Sequence, residues 1–192
     1  GQGQKVVLVA EATPFYAQGG GQVGDRGVLR TPTGEARIGN TTALDGIHLH
    51  QATVVSGHVE PGQPCTLEVD EAARRATERN HTATHLLHAA LKHVLGDHVS
   101  QAGSEGAPER LRFYYTQPEK PTAEQLQRVE DEVNAQVLLA NPVQARVQPL
   151  DAARAAGFMA LFGEKYGDQV RTLQVGDYSR ELCGGTHVHN SG

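Results

Sequence analysis

Tryptophan is missing from this chain of 192 residues, methionine occurs once at Met159, and the aromatic complement is four Phe and five Tyr. A core must therefore be assembled from Leu, Val and Ala, with the few rings at chosen places. Long apolar runs are missing too. Nothing approaches the ~20 apolar residues that cross a bilayer as a helix, and no stretch near the start has the form of a signal peptide. A cytoplasmic protein with no membrane partner is expected. Cysteine is scarce: Cys65 and Cys183, far apart in sequence, make no disulfide framework and read as free thiols or metal ligands. A strong charge of either sign is also lacking. Seventeen Lys and Arg stand against 22 Asp and Glu, a net charge of −5, so no global field draws the chain to a phosphate backbone and any nucleic-acid contact must be local. With Met159 as the only methionine and no structural stop at Asn190, Ser191 and Gly192, the chain reads as a fragment of a longer one.

What is present is histidine, ten of them, and a hydrophobic fraction of 38%, enough for one domain with a real core or for two small subdomains packed together. From Lys5 to about Asp70 the pattern is short and strand-like: Val6 to Val9, Gly27 to Arg30, Ile47 to Val54, and Cys65, Leu67 and Val69 alternating with polar neighbours, separated by Gly- and Pro-rich turns. This predicts a small antiparallel β-barrel-like subdomain or curled sheet over residues 1–70. Asp70 then caps a helix of Ala, Leu and Arg running to Gly96, with Asn80 as a possible second cap. Strands follow over His98 to Ser104 and Leu111 to Thr116. Thr122 and Gln125 form a capping box for a helix reaching Leu139. Pro142 to Val147 alternates again, a short helix lies at Asp151 to Ala156, and a strand at Gln169 to Val175. The expected class is α+β, with an α/β sandwich over residues 71–192.

His81 and His85 stand four apart on the strongest helix, so both imidazoles share one face, one turn apart. Far downstream the run CGGTH repeats the spacing with Cys183 and His187, here in a turn because two glycines disfavour a helix. Either pair alone is weak evidence. Together they supply three imidazoles and one thiolate, a donor set that suits tetrahedral zinc and selects against magnesium or calcium. His88, on the same helix face, and His189 are rival ligands ranked below these four. Cys65 reads as a small core hydrophobe, and solvent exposure accounts for His48 and His50. A zinc protease needs a glutamate directly after the first helical histidine; Thr82 stands there, which argues against that class.

In HTATHLLHAAL followed by SQAGS, and in ELCGGTHV, the chain resembles the editing domain of bacterial alanyl-tRNA synthetases and their free-standing trans-editing relatives. TPFYAQGGGQVGD, PERLRF and MALFGEKYGDQVRT agree, so the resemblance spans nearly the whole sequence. Departures are Gln18 and Gly19 where the family commonly reads Glu-Ser, Tyr114 in place of an acidic residue, and Glu105 and Gly106 in place of two apolar ones. The resemblance implies a zinc-binding second subdomain with His81, His85, Cys183 and His187 as ligands, and hydrolysis of serine or glycine wrongly attached to alanine tRNA. A synthesis site built for a methyl side chain cannot exclude hydrogen by size and rejects an added hydroxyl only modestly, so a second, hydrolytic site is required. The expected partners are the acceptor end of that tRNA and the rest of a synthetase chain.

Thr84 and Gln101 are the candidate catalytic and substrate-binding polar groups: Thr84 towards a serine hydroxyl, and Gln101, which matches a position that the resembled family uses in substrate recognition, as an amide that both donates and accepts; a helix-capping threonine and a structural amide are the plainer readings. Gly19, Gly20 and Gly21 with Gln22 would, as the resemblance implies, let the backbone approach the acceptor end; a tight turn between strands is the plainer reading. Arg74, Arg75, Arg79, Arg110 and Arg112 are candidates for phosphate contact. A structural zinc module that binds the acceptor end without chemistry, a free-standing trans-editing deacylase, and a threonyl-type editing module are the alternatives.

Overall fold

The computed structural model describes residues 1–160 and 166–192; of the stretch from Met159 to Thr172, residues 161–165 therefore lie outside the description. Strands β1 (Lys5–Leu8), β2 (Gly27–Thr31), β3 (Gly34–Leu44), β4 (Ile47–Gly57) and β5 (Thr66–Val69) form one antiparallel sheet in the order β1-β4-β3-β2-β5. Among the described residues β1 and β5 do not pair with each other, so this is an open sheet and not a closed barrel. Alternation puts Leu29, Ala36, Ile38 and Ala52 on one face, where they bury against Phe15 with Val6, Leu8, Leu67 and Val69 around them.

Strand β3 was not expected. Its alternation is broken by register shifts between Glu35 and Ala36 and between Ile38 and Asn40, and a bulge moves every later side chain to the other face. Asp45 and Gly46, with φ of 49° and 79°, close the β3–β4 hairpin. Positive φ at both central residues is the two-residue turn whose twist matches the strands, and Asp-Gly is its usual sequence.

Helix α1 (Glu71–Leu95) is capped as predicted: the Asp70 side chain accepts from the Ala73 N–H and Gly96 ends the helix. It runs through Asn80 without interruption, the Asn80 amide reaching instead to the carbonyl of Ala107 at 2.6 Å. That carbonyl ends β6 (Gln101–Ala107), which pairs with β7 (Arg110–Tyr115) as a two-stranded sheet. Helix α2 (Ala123–Leu138) carries the Thr122–Gln125 capping box and packs against α1; Ala90, Leu91, Val99 and Val129 are the buried centre there. A third sheet, β10-β9-β8, joins β8 (Val143–Pro149), β9 (Gln169–Val175) and β10 (Ser179–Leu182), with the short helix α3 (Leu150–Ala155) beside it. The class is α+β.

The segment from Thr13 to Asp25 ties these parts together. The Val23 N–H donates to the Gly106 carbonyl and the Gly106 N–H to the Gly21 carbonyl, while Gln18 N–H reaches Thr41 on β3. Asp25, buried, holds the Tyr16 N–H at 2.6 Å and faces the Arg74 guanidinium of α1, whose Nε lies 2.9 Å from Oδ1. Arg74 also donates to the Pro14 carbonyl at 2.9 Å. No helix among the described residues is long and apolar enough to cross a membrane.

Candidate metal centre

Position by position, α1 points His81, Thr82, Thr84, His85 and His88 inward, each buried, which is a polar stripe on the face that a helix usually gives to Leu and Val. Beneath it runs the turn after β10. There Gly185 passes so close over His81 that a Cβ would stand 2.1 Å from the ring carbon Cε1, so glycine is the residue that fits. Arg171 on β9 holds this turn from the other side, its Nη1 donating to the carbonyls of Cys183 at 2.9 Å and Gly185 at 2.7 Å. Together these elements bring the nitrogens of His81, His85 and His187 and the sulfur of Cys183 within 4.8 Å of one another.

Each imidazole is held by its outer nitrogen. His81 Nδ1 lies 2.7 Å from Gln22 Oε1. The Thr186 N–H donates to that same oxygen at 2.8 Å, which identifies it as the amide oxygen and puts the His81 proton on Nδ1. His85 Nδ1 donates to Glu181 Oε2 at 2.8 Å, and His187 Nδ1 lies 3.1 Å from Thr82 Oγ1. The inner nitrogens converge on sulfur: His187 Nε2 stands 3.2 Å and His81 Nε2 3.5 Å from Cys183 Sγ. His85 Nε2 is buried with no hydrogen-bond partner. Metal bonds of about 2.0–2.3 Å imply tetrahedral edges of about 3–4 Å; the two edges from Cys183 Sγ to His81 and His187 have that length, and all four donors lie within 4.8 Å. Outer partners that fix ring orientation and tautomer are a regular feature of metal-ligating histidines.

The electrostatics agree. Burial works against a charged thiolate, but the facing His187 and His81 outweigh it and hold Cys183 far below the thiol range, at about 2. His187 is lowered to about 4, first by burial. Burial also opposes charge on His85, yet the buried Glu181 carboxylate, with Cys183, raises it to about 10. The unshared lone pair of a deprotonated His85 Nε2 is therefore one that a cation can take in place of a proton, and three imidazoles with one thiolate fit zinc.

Beside Cys183 a cavity of about 350 Å³ opens between the Tyr16–Gly20 segment and the turn at Cys183–Gly185, with Arg171 in its wall. Gly20 lines it. Gly21 faces Ser104 on β6, where a Cβ would meet Oγ at 2.4 Å, and Gln101 donates to that same Ser104 Oγ at 3.1 Å. Thr84 donates to the Asn80 carbonyl four residues back at 2.9 Å, a side-chain bond within the helix. His88 is not among the four converging groups; its Nδ1 donates to the second oxygen of Glu181 at 2.9 Å. His189 is exposed.

Two expectations are corrected. Cys65 is exposed, because it precedes β5 and does not lie within it. His50 is fully buried, its ring between Thr13 Oγ1 at 2.8 Å and the Leu8 carbonyl at 3.0 Å, so partners and not solvent account for it. Of the basic candidates, Arg74 is engaged by Asp25, Arg75 by Glu78, and Arg110 by Glu105; Arg79 and Arg112 are exposed. Gln22, Thr82, Arg171, Glu181 and Gly185 were not assigned these roles from sequence. Their functions depend on neighbours up to 164 positions away, and no local pattern reports that.

The open sheet and two of the four converging donors fall in segments that match tRNA synthetase families: residues 1–73 match the family of class II tRNA synthetases (A), and residues 170–192 match the threonyl and alanyl tRNA synthetase second additional domain. Cys183 and His187 lie in the second match. The alanine-tRNA ligase of Cereibacter sphaeroides is 50% identical over 99% of this chain, that of Geobacillus kaustophilus 51% over 98%, and that of Paracoccus denitrificans 47% over 100%. The chain belongs to the alanyl-tRNA synthetase family, as its editing domain. It spans 21–23% of the length of these relatives.

Proposed function

We propose that this chain hydrolyses the ester of mischarged alanine tRNA, releasing serine or glycine, as the proofreading part of an alanine-tRNA ligase acting in the cytoplasm. The observation that carries the reading is the cavity beside Cys183, with Arg171 in its wall, which lies against the candidate metal centre. In this reading His81, His85, Cys183 and His187 hold zinc, whose bound form would polarise the ester carbonyl or orient water. The residues of the chain supply the rest. Gly20, with no Cβ on the cavity wall, admits the terminal ribose closely. Gln101 keeps its amide oxygen free of the Ser104 contact and accepts from a serine hydroxyl. Thr84 donates to Asn80 but retains lone pairs to accept a second hydrogen bond. Polar groups that a hydroxyl satisfies would be left unpaired by alanine, and such an unmet group costs about 1–3 kcal/mol. The correct product is thereby spared. The domain division at residue 70 belongs to the same proposal: the sheet of residues 1–70 braces, through Gln22 and Asp25, a hydrolytic unit over 71–192.

One observation favours a second reading. Four protein ligands describe a closed, structural zinc, and a module of that kind would bind the tRNA acceptor end without turnover. Deacylation of serine-charged and alanine-charged alanine tRNA by the purified chain, with zinc measured in the same sample, separates the two. Selective loss of serine at about one zinc per chain is the expected result. Intact serine ester on a zinc-loaded, tRNA-binding chain would overturn hydrolysis in favour of the structural module.

A further inference from the structure

Glu181 is 1% exposed, and its carboxylate has two partners among the described residues: His85 Nδ1 on Oε2 at 2.8 Å and His88 Nδ1 on Oε1 at 2.9 Å. A carboxylate this deep requires a donor on each oxygen, and both donors are imidazoles of one helix. His88 gains nothing else polar. It is 4% exposed, its Nε2 is buried without a partner, and its ring lies 5.4 Å from that of Phe113. As a packing residue it is inferior to Leu or Phe, because an unmet buried nitrogen costs about 1–3 kcal/mol.

We propose that His88 and Glu181 are positioning residues of the metal centre: His88 fixes one carboxylate oxygen so that the other fixes the proton on His85 Nδ1 and turns His85 Nε2 to the ion. The i, i+3 spacing on α1 puts both rings over the same carboxylate, and β10, which carries Glu181, leads directly into Cys183. The clamp thus couples the ligand pair on the helix to the ligand pair on the turn. His88 itself is not one of the four converging groups, and its Nδ1 is engaged by Glu181.

The inference rests on the four-ligand zinc reading, and the test keeps the two apart. Zinc affinity of the full chain is measured by competition with a chromophoric chelator, and the cobalt-substituted protein is examined for its thiolate and ligand-field absorption. His88→Leu removes the donor and should weaken zinc about ten- to a hundredfold and alter the cobalt spectrum. His88→Asn, whose side-chain N–H stands where Nδ1 did, should restore affinity to near that of the parent. Glu181→Gln, which can accept from one imidazole only, should weaken zinc as His88→Leu does and decides the matter should His88→Leu not fold. Parent-like affinity and spectrum in folded His88→Leu or in Glu181→Gln would overturn the clamp while leaving the zinc site standing. A parent chain that binds no zinc would overturn both.

Discussion

A Cβ added at Gly185 would lie 2.1 Å from His81 Cε1 and 2.8 Å from Gln22 Oε1, whereas one at Gly184 would meet nothing within 4 Å. Adjacent glycines in one motif therefore carry different burdens. Gly185→Ala is expected to displace His81 and abolish stoichiometric zinc binding, while Gly184→Ala retains it; metal content after dialysis against a weak chelator checks both. The protonation of the ligands sets a second expectation. Cys183 is held at about 2 and His187 at about 4, so near neutral pH neither has a proton to lose, but His85, raised to about 10, does. Metal binding should accordingly release about one proton from His85. Affinity falls as pH falls and falls more steeply below about 4, where His187 must also be deprotonated. Calorimetry in two buffers of different ionisation enthalpy measures the release, and a buffer-independent heat would contradict it.

Helix α1 is the element on which the site depends, and its start is fixed by Asp70 accepting the Ala73 N–H at 3.0 Å. Asp70→Ala should destabilise the chain by about 1 kcal/mol. That bond, first, holds the Asp70 carboxyl below its ordinary value of 3.8. Its stabilisation is thus fully present above that value and is lost as pH falls through the lower folded one, so the parent and variant unfolding curves should converge in acid. The Asp25–Arg74 pair anchors the same helix to the Thr13–Asp25 segment. Asp25→Ala leaves the Arg74 guanidinium without its carboxylate and should cost about 3 kcal/mol, read from the denaturant midpoint. Both helix caps were legible from local chemistry, as was the Thr122–Gln125 box. Strand β3 was not, because two bulges interrupt its period of two. Strand β10, of sequence SREL, was not legible either, because two of its inward residues, Ser179 and Glu181, are polar and no apolar alternation shows.

At the scale of the whole molecule the net charge of −5 opposes a phosphate backbone, and three of the five basic candidates are neutralised by carboxylates. Binding of alanine tRNA by this chain alone is expected to be weak and to fall steeply as salt is raised, which a filter or fluorescence titration at two ionic strengths would show. Tight binding at physiological salt would contradict it. The sequence by itself determined which donor atoms exist and their pairwise spacing: His81 and His85 one helical turn apart, Cys183 and His187 across a glycine turn. These are local facts, set by backbone geometry over a few residues. Only the tertiary structure decided that the two pairs meet, that Gln22, Glu181 and Thr82 turn the rings inward, that His88 serves the carboxylate and not the ion, and that a cavity opens beside Cys183. Each of those depends on contacts between groups from about 60 to more than 160 positions apart, and hydrogen-bond direction across such gaps is settled by packing, to which local composition and period are blind.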